Sequence, residues 1–176
     1  SFGIVNLEDE SAFFFIKATK QPVIGFTTEG KAGKQAVAGL EEQKPLPPVP
    51  PSIPYLVGRN IASAAYGLSF SIVEPNLVDK NSKPVAAGVI HIKASLPGAF
   101  NAYNIMASLI AVSRLTSTPL EKVAEKVSEL VPVKGRMTEI DEGQPFEVIV
   151  DYAHTPSSFE TIFPPLKRRA SGKIIS

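Results

Sequence analysis

The 176-residue chain contains no cysteine, only two histidines and no long hydrophobic run. Without cysteine it can form neither a disulfide framework nor a thiolate metal site, and the wide separation of His91 and His154 argues against zinc. Its apolar stretches fall short of the roughly 20 residues that a membrane helix needs. The start, SFGIVNLEDE, lacks the basic region and cleavage site of a secretory signal. We therefore expect a soluble protein of a reducing, cytoplasmic compartment, with no membrane partner.

The charge is nearly balanced, at a formal +1, and acids and bases are interspersed. Nothing in this pattern is typical of a nucleic-acid footprint, so no nucleic-acid partner is expected and a charged ligand must be met by local groups. At roughly 100 to 150 residues per domain, the length predicts one domain and part of another.

The first 28 residues read as strand, helix, strand, in the runs SFGIVNL, EDESAFFFIKAT and PVIGFTT. This is the crossover unit of a parallel sheet. The proline-rich segment at 44–54 that follows cannot be a helix or a central strand. We interpret it as a stiff connector or insertion, with a proline-rich ligand motif as the alternative.

Short alternating runs from Asn60 onward, IASAAYGLSFSIVEP and AAGVIHIKASLPG, predict antiparallel strands. His91 lies inside one of them. A lone histidine there is more often a strand residue than a ligand, so we assign it no function.

Two helices are predicted next. In FNAYNIMASLIAVSRL the apolar stripe is Ile105, Leu109 and Val112. In PLEKVAEKVSELV, Thr118 as N-cap with Pro119 and Glu121 after it fits the capping-box pattern. The expected buried stripe of this second helix consists of Leu120, Val123, Val127 and Leu130.

The C-terminal part returns to strands at RMTEI and FEVIVDYA. The run Val148–Val150 is of the β-branched kind that is buried on both faces of a parallel sheet. Thr155 is the expected N-cap of a short helix with Pro156 at its first position, and Pro164-Pro165 should end or kink that helix. The final GKIIS is interpreted as the start of a strand.

One stretch imitates a phosphate-binding loop. GFTTEGKA follows a strand and has the glycine-lysine spacing, but Ala32 lacks the hydroxyl that would hold Mg²⁺, and Glu29 would repel phosphates. We reject it as a phosphate loop.

Five positions are candidates for ligand binding. Asn101 and Asn104, three residues apart at a helix start, present amide donors and acceptors on one face, with helix capping by Asn101 as the alternative. Arg136, a planar five-donor fork after a glycine, suits phosphate or stacking on a base, or a surface salt bridge. Asp151 and His154 follow a strand, where the edge of an α/β sheet binds ligands, although either could simply complete a turn.

The order LPGAFNAYN, GRM and VIVDYAHTP resembles the Mur ligases, and DYAHTP most resembles their UDP-N-acetylmuramoyl-tripeptide synthetase (MurE-type) branch. The resemblance is strong from about Leu96 onward and weaker but collinear over IVNLEDESAFFF. The related folylpolyglutamate synthetases usually have His-Asn-Pro in place of His-Thr-Pro at this turn, so the tripeptide-synthetase branch of the Mur family is favoured. Against the Mur pattern, Thr138 replaces a common acid, Ser157 replaces the usual aspartate, and Pro164-Pro165 interrupts a helix.

The resemblance implies an α/β fold: part of a central ATPase domain over 1–133, mostly parallel with an added antiparallel hairpin, and the first elements of a Rossmann-like C-terminal domain over 134–176. It implies domain motion about Lys134-Gly135. It also implies a monomeric, Mg²⁺-assisted ligase that uses ATP to activate the carboxylate of a UDP-N-acetylmuramoyl-peptide as an acyl phosphate, which a free amino acid then attacks.

Carried over by position, Asn101 and Asn104 match the pair that recognises adenine, Arg136 a hinge arginine near the nucleotide, and Asp151 the acid near the ribose. His154 and Thr155 would line the cleft. No catalytic or metal residue is assigned. The chain contains no Gly-Lys-Thr or Gly-Lys-Ser loop, so it resembles an internal fragment that is inactive by itself. The alternatives are a folylpolyglutamate-type ligase and a non-catalytic adaptor on the same fold.

Overall fold

The computed structural model describes residues 1–28, 53–64, 67–73 and 88–176. These ranges contain strands and helices that we number in chain order: β1 Gly3–Asn6, α1 Ala12–Ala18, β2 Val23–Thr28, β3 Tyr55–Ala64, β4 Gly67–Val73, β5 Ile90–Ala94, α2 Asn101–Thr116, α3 Leu120–Ala124, a 3-10 helix Glu125–Glu129, β6 Thr138–Ile140, β7 Val148–Val150 and α4 Pro156–Arg169. The chain is an α/β structure. Apart from Ile53 and Pro54, the proline-rich segment lies outside the described residues, as does the loop mimic beyond Thr28.

The first five strands form one sheet in the order β1-β2-β3-β4-β5. β1, β2 and β3 pair in parallel, whereas β4 is antiparallel to both β3 and β5. Four of the five strands therefore share one direction, which confirms the predicted mostly parallel sheet with an antiparallel hairpin.

The pairing of β3 with β4 and of β4 with β5 confirms the antiparallel strands predicted for this part of the chain. The run that begins at Ile61 contributes to two of them, because Ile61–Ala64 ends β3 and Gly67–Val73 forms β4. β3 starts earlier, at Tyr55, and pairs with β2 there. Asn60, with φ of 54°, lies at a bulge in its register with β4.

Alternation along β4 and β5 decides which face of the sheet is covered. In β4, Phe70 and Ile72 are buried. In β5, Ile92 is buried, whereas its neighbours His91 and Lys93 are exposed. This is the two-residue period of a sheet packed on one face. His91 lies on the other face, with Nδ1 3.1 Å from Ser71 Oγ.

Helix α2 covers the packed face. Ile105 and Leu109 are buried as predicted, but Val112 is 43% exposed, and Ala102, Met106 and Ile110 are buried as well. At about 100° per residue, positions 105, 106, 109 and 110 form a contiguous stripe, and position 112 lies outside its edge, about 20° beyond 105.

The second predicted helix is shorter than expected. It has α-helical geometry only from Leu120 to Ala124 and continues as a 3-10 helix to Glu129. Pro119 is its N-cap residue, and the predicted Thr118 cap is wrong, because Thr118 Oγ1 instead accepts from Thr116 Oγ1 at 2.8 Å. Of the expected stripe, Val127 is buried, Leu120 and Val123 are half-buried and Leu130 is 45% exposed.

β6 and β7 form a two-stranded sheet of their own and pair antiparallel. The prediction that Val148–Val150 is buried within a parallel sheet is therefore wrong for the described structure. Val148 and Ile149 are half-buried, and Val150 is 47% exposed. The final GKIIS forms no strand within the described residues.

The prolines Pro164-Pro165 were predicted to end or kink helix α4. The helix runs through them to Arg169, so the first alternative is wrong, and the kink stays a prediction. Two prolines remove two backbone donors, but the freed carbonyls lie on an exposed helix where water can satisfy them. Arg169 also pairs with Glu147 at 2.6 Å, which holds the last turn.

Candidate functional site

The turn before α2 places two asparagines side by side. Gly98 adopts a left-handed φ of 95°, and the N–H of Asn101 donates to its carbonyl at 3.0 Å. Asn101 Nδ2 donates to the Pro97 carbonyl at 2.7 Å, and Asn104 Nδ2 donates to Asn101 Oδ1 at 3.0 Å. Asn101 is the first helical residue and its side chain donates backwards, so it does not act as the N-cap.

These bonds orient the pair without exhausting it. An asparagine amide offers two donors and an oxygen with two lone pairs, and Asn104 is exposed. An adenine edge presents an amino donor beside a ring nitrogen acceptor, which an asparagine amide can meet with its oxygen and its NH₂ group. The pair therefore fits an adenine-like ligand.

A second group forms around Asp151, at the end of β7. Asp151 Oδ2 accepts from the N–H of Met137 at 2.8 Å, and Oδ1 accepts from the N–H of Ala153 at 2.8 Å. One half-buried carboxylate thus joins the turn that precedes β6 to the turn that follows β7. These bonds occupy one lone pair on each oxygen, leaving acceptor capacity on both.

Arg136 lies over an exposed aromatic side chain in the same group. Its Cζ atom is 5.0 Å from the centre of the Tyr152 ring, within the range of a cation–π contact. The Tyr152 and His154 rings meet edge to face at 4.8 Å. His154 Nδ1 is 2.8 Å from the carbonyl of Tyr152, so Nδ1 carries the proton and Nε2 is the free acceptor of a neutral ring.

Thr155 is the N-cap of α4, as predicted. Its side chain accepts from the N–H of Ser158 at 3.3 Å, and Pro156 follows at the first helical position. The Thr155 carbonyl also accepts from the N–H groups of Ser158 and Phe159, at 3.0 and 3.2 Å, so the first turn is closed on this residue.

The six predicted site residues thus fall into two groups. Each contact described above joins residues of the same group. Asn101 and Asn104 form the first, at the start of α2. The second joins Arg136, Asp151, His154 and Thr155 through the turns around β6 and β7. Among the described residues, no three histidine, aspartate or glutamate side chains come together as a metal site.

Sequence reasoning missed three residues in or beside these groups. Tyr152 is part of the DYAHTP motif but was given no contact, and it is the platform for Arg136. Glu8 and Tyr103 are hydrogen-bonded at 2.8 Å although 95 residues apart. The available signal was an acid directly after a strand and a tyrosine between the two asparagines.

Comparison with protein-family models gave no match. Among curated proteins, the chain is 42% identical to a UDP-N-acetylmuramyl-tripeptide synthetase of Treponema denticola, over 99% of this chain and 29% of that protein. It is 37% identical to a protein of the same description from Treponema pallidum, over 98% of this chain and 30% of that protein. The chain therefore spans less than a third of these relatives.

Among solved structures, the chain matches the UDP-N-acetylmuramoylalanyl-D-glutamyl-2,6-diaminopimelate–D-alanyl-D-alanyl ligase of Acinetobacter baumannii with a TM-score of 0.64. The match covers 97% of this chain and 30% of that one, at 17% sequence identity. This structural match supports the α/β fold of the chain. Among the helices of the described ranges, none has the length and apolar character needed to cross a membrane.

Proposed function

Because this chain belongs to the Mur ligase family, we propose that the protein containing it is an ATP-dependent ligase of peptidoglycan synthesis that adds an amino acid to a UDP-N-acetylmuramoyl-dipeptide. In this proposal the chain provides the adenine and ribose side of the nucleotide site. The reaction takes place in the cytoplasm, and the protein acts as a monomer on ATP, the muramoyl peptide and a free amino acid.

One observation carries the proposal. The residues that match the family's nucleotide contacts are held in place by their own hydrogen bonds, on segments that lie within an alignment to a tripeptide synthetase covering 99% of this chain. Loose side chains at an exposed turn would not support a binding role as well.

The proposed roles follow from the chemistry of each group. The amides of Asn101 and Asn104 bind the adenine edge, and the remaining lone pairs of Asp151 accept from a ribose hydroxyl. Arg136 places a permanent positive charge beside the nucleotide, and Tyr152 holds its guanidinium plane. His154 and Thr155 line the same turn.

The chemical step moves one phosphoryl group. The substrate carboxylate takes the γ-phosphoryl of ATP and releases ADP, and the amine of the amino acid then displaces phosphate from the acyl phosphate, losing a proton as the amide forms. Mg²⁺ would screen the phosphate charge during this transfer. The described residues contain no three-ligand acidic or histidine cluster, so no residue of this chain is assigned to the metal.

The test is a substrate panel with the full-length protein. It is incubated with ATP, Mg²⁺, UDP-N-acetylmuramoyl-dipeptide and diaminopimelate or lysine, and the ligated product is weighed by mass spectrometry. A parallel arm offers a reduced folate with glutamate. We expect a product in the muramoyl arm. A product that forms only with folate would indicate a folylpolyglutamate-type ligase. If neither arm yields a ligated product or ADP, the protein is a non-catalytic adaptor.

A further inference from the structure

A polar cluster lies at the carboxyl ends of β1 and β2. Glu8 Oε1 accepts from Thr27 Oγ1 at 3.0 Å, from Thr28 Oγ1 at 2.8 Å and from the N–H of Thr28. Glu8 Oε2 accepts from the Tyr103 hydroxyl at 2.8 Å, and that hydroxyl is also 3.0 Å from Thr28 Oγ1. Both threonines are buried, so the carboxylate is held by donors that solvent does not replace.

The turn after β1 presents Glu8 to this cluster. Asn6 Oδ1 accepts from the N–H of Glu8 at 3.1 Å, and the N–H of Leu7 donates to the Phe26 carbonyl at 2.9 Å. Leu7 lies directly over Gly25, where a Cβ atom would come within 2.5 Å of Leu7 Cδ1. The backbone that leads into Glu8 is therefore held in place by these contacts of Asn6 and Leu7.

Tyr103 carries the connection to α2. Its ring meets Phe26 edge to face at 6.5 Å, while its hydroxyl donates to Glu8. Tyr103 lies between Asn101 and Asn104 in the first turn of the helix, and successive residues are about 100° apart around the axis. Fixing the Tyr103 side chain against the sheet therefore fixes the direction in which the asparagine face points.

We propose that Glu8 and Tyr103 are positioning residues that set the rotation of the first turn of α2, and with it the presentation of Asn101 and Asn104 to the adenine base. This inference rests on the proposed nucleotide site. We expect neither residue to touch the nucleotide. They act through the helix turn that carries the two amides.

The protonation of the phenol agrees with this geometry. Burial raises the pKa of Tyr103 to about 12, the Thr28 hydrogen bond lowers it in part, and the Glu8 carboxylate adds to the rise. The hydroxyl is therefore protonated at neutral pH and remains a donor to Glu8.

The other end of α2 offers a matched control. Ser113 Oγ donates to the Thr118 carbonyl at 2.7 Å and ties the last turn of the helix to the following segment. Ser113→Ala removes one side-chain hydrogen bond from the same helix, as Tyr103→Phe does, without touching the first turn.

The experiment compares five variants of the full-length protein: Tyr103→Phe, Glu8→Gln, Glu8→Ala, Ser113→Ala and Asn104→Ala. For each one, the KM for ATP, the kcat, the ratio of kcat/KM for ATP over GTP, and the Tm are measured. We expect Tyr103→Phe to raise the KM for ATP about five- to tenfold and to lower the ATP-over-GTP ratio, with kcat changed less than about twofold. Ser113→Ala should lower the Tm but leave the KM and the ratio within about twofold.

Glu8→Gln tests rescue. A glutamine can keep its oxygen toward the threonines and donate its N–H to the Tyr103 hydroxyl, which then donates to Thr28 Oγ1. We expect it to keep the KM for ATP within about threefold of the native value, whereas Glu8→Ala should behave like Tyr103→Phe.

The outcomes separate the two claims. If Asn104→Ala leaves both the KM for ATP and the ATP-over-GTP ratio unchanged, the proposed adenine site is wrong. If Asn104→Ala changes them but Tyr103→Phe and Glu8→Ala match Ser113→Ala, the positioning role is overturned while the site stands. Should Tyr103→Phe fail to fold, the Glu8→Gln and Glu8→Ala pair decides the same question.

Discussion

The carboxylate of Asp151 and the backbone N–H of Met137 are joined by a 2.8 Å hydrogen bond, although the residues lie 14 positions apart. Met137 has a left-handed φ of 50°, which is uncommon for a residue with a side chain. The bond helps to hold the turn that carries Arg136 in this conformation. A carboxylate proposed to meet a ribose therefore also organises the loop beside it.

Replacing Asp151 by alanine should reduce both stability and catalysis. Two backbone N–H groups lose their acceptor, at a cost of about 1–3 kcal/mol for groups that are only partly reached by water. The ribose contact and the placement of Arg136 are lost as well, so kcat/KM for ATP should fall by more than the folded fraction falls. Chemical denaturation and kinetics on the full-length protein measure the two effects.

The control for this substitution is Asp141→Ala. Asp141 Oδ1 accepts from the N–H of Gly143 at 3.0 Å in an exposed turn, so the variant removes a similar bond away from the proposed site. An Asp151→Ala protein that melts early but turns over normally per folded molecule would contradict the binding role.

Replacing Arg136 by alanine should affect nucleotide use much more than folding. The side chain is exposed, and truncating an exposed residue usually changes the free energy of unfolding by less than about 0.5 kcal/mol, with a little more here for the lost contact with Tyr152. The KM for ATP should rise clearly, and Arg136→Lys should recover little, because an ammonium lacks the planar fork. Lys134→Ala, also exposed, should leave the KM unchanged; equal effects of the two would indicate only general charge.

Gly135 and Gly143 test the predicted hinge. Both have left-handed φ values, 75° and 81°, and an added Cβ would meet nothing within 4 Å at either position. Alanine should therefore cost a similar backbone strain of about 1–3 kcal/mol at each site. If domain motion occurs about Lys134-Gly135, only Gly135→Ala should lower kcat; equal kcat values for the two variants would argue against a hinge there.

The buried phenol predicts a pH dependence of stability. A free tyrosine has a pKa of about 10, and the pKa of Tyr103 is raised to about 12, so the folded state keeps this proton longer than the unfolded state does. The contribution of this raised pKa to the free energy of unfolding is complete below about pH 10 and is lost as the pH rises toward about 12. The difference in unfolding free energy between native protein and Tyr103→Phe should therefore shrink over that range, and a difference that stays constant would place the phenol in water.

Local patterns in the sequence predicted the elements that depend on neighbouring residues. The parallel β1-α1-β2 unit, the start of α4 at Thr155 and the buried positions Ile105 and Leu109 all follow from capping, strand punctuation and helical period. The nearness of Asn101 and Asn104 followed from their spacing alone.

The misses come from contacts that no local pattern contains. Thr118 fits a capping pattern, but helix α2 ends immediately before it, at the left-handed residue Ser117. The Thr118 hydroxyl therefore pairs with the Thr116 hydroxyl instead of capping the next helix. Pro164-Pro165 would break a buried helix, yet α4 is exposed there and tolerates the lost donors. The Glu8–Tyr103 contact joins residues far apart in sequence, and only the folded sheet brings them together.

A structure of the full-length protein with a non-hydrolysable ATP analogue and Mg²⁺ would show directly whether both groups of residues bind one nucleotide. We expect the adenine to lie within hydrogen-bond distance of the amides of Asn101 and Asn104, the ribose beside Asp151, and Arg136 next to the nucleotide. An analogue bound with its base away from the first turn of α2, and with Asp151 contacting only Met137 and Ala153, would contradict the assignment of both groups to one nucleotide.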